Sequence, residues 1–170
     1  AFAAWILEYL GRNDTHIMEI VYDEWKEQGR DVFYRPVPRT EREFTAHINP
    51  SVRATIEYVS QTKGLTLVDT RSFEEFIGQS DADQTPGHIP GAVNLNWLDT
   101  MDPNCNLRLK PAELLNETLS TLGVSPEQEV ITYCQSHHRS AHAWLMLKSL
   151  GFSRVRGYAG SWSEWGNDPG

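Results

Sequence analysis

Short apolar runs alternate with polar stretches that carry glycine or proline. Leu65-Thr-Leu-Val-Asp69, Ala92-Val-Asn-Leu95, the run after Glu129 through Tyr133, and Arg154 to Tyr158 have strand length and composition. Helical patterns lie between them over Ser72–Ile77, Pro111–Leu122 and Ala141–Leu150. Pro111 sits at a helix start, where its missing N–H costs nothing. Upstream, Ala3–Leu10 reads as a helix ended by Gly11, Thr15–Val21 as a short strand, and Asp23–Gln28 as a helix closed by Gly29. Phe44–Ile48 has strand character. Pro50–Ser60 has helical spacing, with Val52, Ile56 and Val59 on one side. Gln79–Pro86 is polar and reads as a loop. Strands alternating with helices predict an α/β domain with a mainly parallel central sheet flanked by helices.

The pattern also repeats. Leu10-Gly11 and Glu24-Trp25 are separated as Leu150-Gly151 and Glu164-Trp165 are, and Ala4-Trp5 resembles Ala143-Trp144 with one residue of slippage. Residues 1–29 therefore read as the tail of an upstream copy of the same domain. About thirty residues cannot close a core alone, so this segment is expected to need a preceding partner. Arg35–Glu43, with two prolines and five charges, marks a linker. The expected division is 1–29 remnant, 30–45 linker and 46–170 catalytic domain.

Composition narrows the function. The 170 residues are 39% hydrophobic and 22% charged, as in soluble globular chains. A formal net charge of −8 argues against nucleic acid as a partner. No apolar run reaches the length of a membrane span. Two cysteines point to a reducing, cytoplasmic setting. Cys105 lies in the polar turn Asp102-Pro-Asn-Cys-Asn106 and reads as a bystander.

Cys134 carries the chemistry. It ends a strand and opens Cys134-Gln-Ser-His-His-Arg139-Ser140, directly before a helix. Backbone N–H groups and the positive end of a helix dipole favour a thiolate there, and a thiolate is a strong nucleophile. The same N–H groups would cradle an anion. Cys134, His138 and His142 are spaced by four, as metal ligands on a helix can be. The first of these positions belongs to a loop, and three ligands are too few for a structural site, so neither a metal nor another cofactor is expected. His137 and His138 read as polar, partly positive walls of the site or as exposed loop residues. Trp144, Trp162 and Trp165 read as core, with Trp162 kept as a possible pocket wall beside Ala159-Gly-Ser161.

Four segments together resemble the rhodanese (sulfurtransferase) family: Leu67-Val-Asp69-Thr-Arg71, Gly87-His-Ile-Pro-Gly-Ala-Val-Asn94, Cys134 to Arg139, and Gly157-Tyr-Ala-Gly-Ser-Trp-Ser-Glu-Trp165. The resemblance spans residues 46–170, and with the upstream remnant the whole is similar to a tandem-domain thiosulfate sulfurtransferase. It implies that Cys134 takes the sulfane sulfur of thiosulfate as a persulfide, releases sulfite, and passes the sulfur to cyanide or another thiophilic acceptor such as a thiol. It implies substrate-binding roles for Gln135, Ser136, His137, His138, Arg139 and Ser140. Asp69 and Arg71 would organise the pocket floor, or form a plain structural ion pair. His88, in a glycine-rich turn, would be structural.

The loop lacks the Cys-Gly-Ser-Gly pattern of mercaptopyruvate-using members, which favours thiosulfate. Glu75 stands where some members carry an arginine, a change that disfavours thiosulfate binding if that arginine assists it. Two rival functions remain. Cysteine phosphatases and arsenate reductases use Cys-x5-Arg, whereas this chain has the shorter Cys-x4-Arg. A non-catalytic rhodanese-like module for binding or redox sensing is the other.

Overall fold

Seven apolar positions on three adjacent strands decide the architecture. In the computed structural model, which describes residues 1–80 and 85–168, strands β2 (Thr66–Asp69), β6 (Val130–Tyr133) and β7 (Val155–Tyr158) pair in parallel. Side chains alternate across a strand. Val68, Val130 and Val155 therefore face one apolar cluster, and Leu67, Ile131, Tyr133 and Tyr158 the other. Burying each such aliphatic side chain contributes about 1.5–3 kcal/mol. Strands β1 (Arg53–Ala54) and β3 (Val93–Asn94) complete the sheet in the order β1-β7-β6-β2-β3, all parallel. A separate antiparallel pair joins β4 (Met101–Asp102) to β5 (Arg108–Leu109).

Helices cover both faces, as the hydrophobic pattern predicts. Leu115 and Leu119 of α5 (Ala112–Thr121) and Trp144 and Leu147 of α6 (His138–Ser149) close the first cluster. Val59 of α3 (Ile56–Gln61) and Trp162 of α7 (Ser161–Trp165) close the second. Helix α4 (Phe73–Phe76) follows β2 and starts on a capping box: Ser72 Oγ accepts from Glu75 N–H, and the Glu75 carboxylate accepts from Ser72 N–H.

The upstream segment divides in its packing. Helix α1 (Phe2–Tyr9) lies on the first cluster through buried Ala4 and Trp5, and Lys148 of α6 pairs with Glu8. By contrast, Ile17, Met18, Val21 and Tyr22 are exposed. Helix α2 (Tyr22–Glu27) touches the domain through Glu24, whose carboxylate accepts from Asn106 and Arg108, each at 2.7 Å.

Several expectations are corrected. Thr15–Val21 and Phe44–Ile48 are not strands. The N–H groups of His47 and Asn49 donate to Leu10 and Tyr9 carbonyls at 3.0 and 2.8 Å, so this stretch caps the end of α1 instead of joining the sheet. Pro50–Ser60 is not one helix. A 3-10 turn over Pro50–Val52 leads into β1, and Thr55 then caps α3 by accepting from Tyr58 N–H. Val52 and Val59 are both buried, but they enter opposite clusters. Helix α6 begins at His138, not Ala141, so Arg139 and Ser140 lie in its first turn. Of the polar segment Gln79–Pro86, residues 81–84 lie outside the described residues. No helix among the described residues is long and apolar enough to cross a membrane.

Candidate active site

The chain leaves β2 toward β3 on one side and leaves β6 toward β7 on the other, so the sheet order reverses between β2 and β6. Parallel sheets place ligand crevices at the carboxyl ends of strands beside such a reversal. Cys134 follows β6 at this point, and Thr70 and Arg71 follow β2.

The loop is anchored from behind. Cys134 O accepts from Trp162 N–H at 2.9 Å, and Gln135 O accepts from Ser163 N–H at 3.1 Å. Ser161 Oγ accepts from Cys134 N–H at 3.4 Å and donates to Tyr158 O at 2.8 Å. A trans peptide holds its C=O and N–H on opposite sides. With the carbonyls of 134 and 135 turned toward α7, the N–H groups of 135 and 136 point away from it. Among the described residues, the N–H groups of residues 135 to 140 donate to no protein acceptor. Three of these, at His138, Arg139 and Ser140, belong to the first turn of α6, where a helix leaves donors free. Cys134 is 1% exposed, yet it belongs to neither apolar cluster.

Arg139 stands in the first turn of α6, five residues after Cys134, whose sulfur is near enough to influence its guanidinium. Its Nη1 and Nη2 donate to Glu75 Oε2 and Oε1, each at 2.7 Å. This bond to Glu75, and then the nearby Cys134 sulfur, raise the guanidinium above its ordinary value. Burial alone would raise the Glu75 carboxyl. Hydrogen bonds from Arg139 and the Ser72 N–H outweigh it and hold the group below the ordinary value.

His137 takes a left-handed backbone, φ 65°, and is fully buried. Its Nδ1 meets Ser140 Oγ at 2.7 Å, Trp5 lies edge-on against the ring, and Nε2 has no partner among the described residues. Burial, and secondarily the charge of His138, push it down to about 3. The reading of His137 as a partly positive wall is therefore corrected: it is a neutral prop beneath the loop. His138 is exposed and stacks on Phe2, centroids 4.4 Å apart.

Asp69 and Arg71 form a buried bidentate pair. Arg71 Nη2 also donates to Gly87 O at 2.7 Å, and its guanidinium lies 4.7 Å from the centre of the Trp162 ring. The pair ties the end of β2 to the glycine-rich turn and to α7. Trp162 is 5% exposed, and its Nε1 donates to Thr85 O at 3.0 Å, so it is a packed support and not an open wall. His88 stacks on Phe76 at 3.7 Å and its Nδ1 meets Phe76 O at 2.7 Å, in keeping with a structural part.

A family model described as the rhodanese-like domain matches residues 51–168. The chain belongs to the rhodanese family. It is 39% identical to the thiosulfate sulfurtransferase of Pseudomonas aeruginosa and 34% identical to that of Azotobacter vinelandii. Each match covers 97% of this chain and 61% of the relative, so the chain spans about three fifths of their length. It also resembles the anaerobic ergothioneine biosynthesis enzyme of Chlorobium limicola in complex with trimethyl histidine, at 26% identity and TM-score 0.88, covering 99% of this chain and 43% of that one. A structure of EanB described as a cysteine persulfide with ergothioneine aligns at TM-score 0.87 and 26% identity, over 98% of this chain and 43% of that one.

This rhodanese domain gathers Cys134, Gln135, Ser136, His138, Arg139 and Ser140 into one loop and helix start. Asp69, Arg71, His88 and Trp162 form a frame beneath and beside it. The sequence reading missed Ser161, which fixes the Cys134 N–H. It also missed Trp5 and Phe2, which meet the two loop histidines. Glu75 was noted only as a departure from a family pattern, although Ser72-x-x-Glu75 is a helix-start signature that places it at the first turn of α4.

Proposed function

We propose that the chain moves sulfane sulfur from thiosulfate to a thiophilic acceptor, cyanide or a thiol, through a persulfide on Cys134. The observation that carries this reading is the run of N–H groups at residues 135 to 140, following the cysteine, that find no acceptor among the described residues. Such a nest suits a diffuse sulfur anion. The Cys134 thiolate attacks the outer sulfur of thiosulfate; the Sγ–S bond forms as the S–S bond to the sulfonyl centre breaks, and sulfite leaves with the electron pair. The loop N–H groups hold the new terminal sulfur, and Arg139 faces the charge on the departing sulfite. An acceptor then takes the terminal sulfur and restores the thiolate. The names of the curated relatives support the donor, and the cysteine persulfide described for EanB supports the intermediate.

The enclosed cysteine and short Cys-x4-Arg loop favour a sulfur atom over a tetrahedral phosphate. The same reading takes residues 1–29 as the end of an upstream rhodanese-like domain joined through 30–45 to the catalytic domain at 46–170, which the internal repeat supports. Mass spectrometry after thiosulfate treatment tests the central step. The protein should gain one sulfur atom on Cys134, and Cys134→Ala should gain none. A reduced, accessible Cys134 that stays unmodified defeats the reading, as does aryl phosphate hydrolysis lost in Cys134→Ala.

A further inference from the structure

Glu75 reaches the site from two fixed points. Its Oε2 accepts from Ser72 N–H at 3.0 Å, and its own N–H donates to Ser72 Oγ at 3.2 Å, which locks the side chain at the start of α4. From there both carboxylate oxygens take the two ends of the Arg139 guanidinium. The pair is largely shielded, with side chains 28% and 14% exposed for Arg139 and Glu75. A two-point, charge-assisted contact in this setting persists in solution better than a surface ion pair. The guanidinium near the Cys134 sulfur thus carries its counter-ion with it. The neighbouring Arg71 is likewise closed on Asp69, and His137 is uncharged. Anion binding then falls mainly to backbone dipoles, which attract a single negative charge without a net cation to balance a second.

We infer that Glu75 is a positioning residue that selects the charge of the sulfur donor: by closing an ion pair on Arg139 it favours singly charged sulfane donors over doubly charged thiosulfate. This rests on the proposed sulfur transfer. With a monoanionic organic thiosulfonate, the Cys134 thiolate takes the terminal sulfur, the S–S bond breaks, and a sulfinate of charge −1 leaves with the electron pair. With thiosulfate the same bonds change, but the departing sulfite carries two negative charges past the Glu75 carboxylate. The carboxylate therefore opposes the second donor more than the first, both in binding and as the leaving group departs.

The test compares thiosulfate with benzenethiosulfonate in the parent and in Glu75→Gln. Glutamine keeps the helix-start contact with Ser72 and one acceptor for Arg139, but removes the negative charge. The kcat/KM ratio of thiosulfate to benzenethiosulfonate should rise about tenfold, mostly through a lower KM for thiosulfate, as expected for one unit charge at a partly shielded site. Ser72→Ala serves as a control, since it removes the Oγ cap on the Glu75 N–H but keeps the backbone N–H that holds the Glu75 carboxylate, and it changes no charge. It should lower the melting temperature and leave the donor ratio unchanged. An unchanged ratio in Glu75→Gln overturns the inference, as does an equal shift in Ser72→Ala. If the parent forms no persulfide with either donor, sulfur transfer itself fails and the role of Glu75 falls with it. If persulfide forms but the ratio does not move, only the role of Glu75 fails.

Discussion

Trp5 meets His137 edge-on, with ring centroids 4.4 Å apart, so a residue of helix α1 supports the loop that follows Cys134. Trp5 Nε1 also donates to Val52 O at 3.1 Å. Trp5→Ala removes this bond and opens a cavity under the loop. It should cost about 3–5 kcal/mol in urea denaturation and slow persulfide formation. Trp5→Phe keeps a ring against His137 and loses chiefly the hydrogen bond, about 1–2 kcal/mol. Equal losses in the two variants would show that the packing against His137 contributes nothing.

Gly157 leaves the space that His137 fills. A Cβ there would stand 2.2 Å from His137 Cε1, 2.3 Å from Nε2 and 2.7 Å from Trp5 Nε1. These are rigid rings held on several sides, so they cannot swing away as a surface lysine would. Gly157→Ala should destabilise by about 1–3 kcal/mol and displace the loop, lowering the rate of persulfide formation. Thermal denaturation and a single-turnover assay check it; a variant as stable and fast as the parent contradicts it.

The buried pair of Asp69 and Arg71 should be costly to break on one side only. Asp69→Leu takes the bidentate carboxylate away from a buried guanidinium, and about 3–5 kcal/mol should be lost. Adding Arg71→Met removes the buried positive charge as well and should recover most of that loss. Urea denaturation of the two variants measures it, and a double variant no better than Asp69→Leu speaks against the pair as a closed unit.

His137 makes stability depend on acid. Its folded value of about 3 lies below the ordinary value of about 6.5, so the unfolded chain takes up a proton that the folded chain refuses. The contribution is complete above pH 6.5 and falls as pH drops from there toward 3. Between pH 7 and pH 5 the loss should be about 2 kcal/mol. His142, also lowered by burial, adds to the slope. His137→Asn, which tolerates the left-handed backbone, should reduce the acid sensitivity without abolishing it. Denaturation midpoints at pH 7 and pH 5 give the answer; the same pH dependence in parent and variant would exclude His137 as its source.

The strands could be read in advance because Leu65–Asp69 and Val130–Tyr133 are apolar on both faces, as a sheet covered on both sides demands. Cys134 could be singled out because a cysteine followed by five polar residues does not suit a core, and it lies outside both apolar clusters. Pro50–Ser60 misled because Val52, Ile56 and Val59 are spaced like one helical face, whereas pairing of Arg53–Ala54 with β7 breaks the run. Two adjacent histidines look alike in sequence. Only the left-handed turn at His137 and the packing of Trp5 decide that one is buried and its neighbour exposed. Glu75 and Arg139 are 64 positions apart, and no local pattern joins them.

The carbonyls of Cys134 and Gln135 are tied to a short helix whose donors, Trp162 and Ser163, come well downstream in the chain. During synthesis, the bend around the sulfur therefore stays unfinished while those residues are still inside the ribosome. The bend around the thiol is thus among the last parts of the domain to take its final shape, because it waits for α7 to pack.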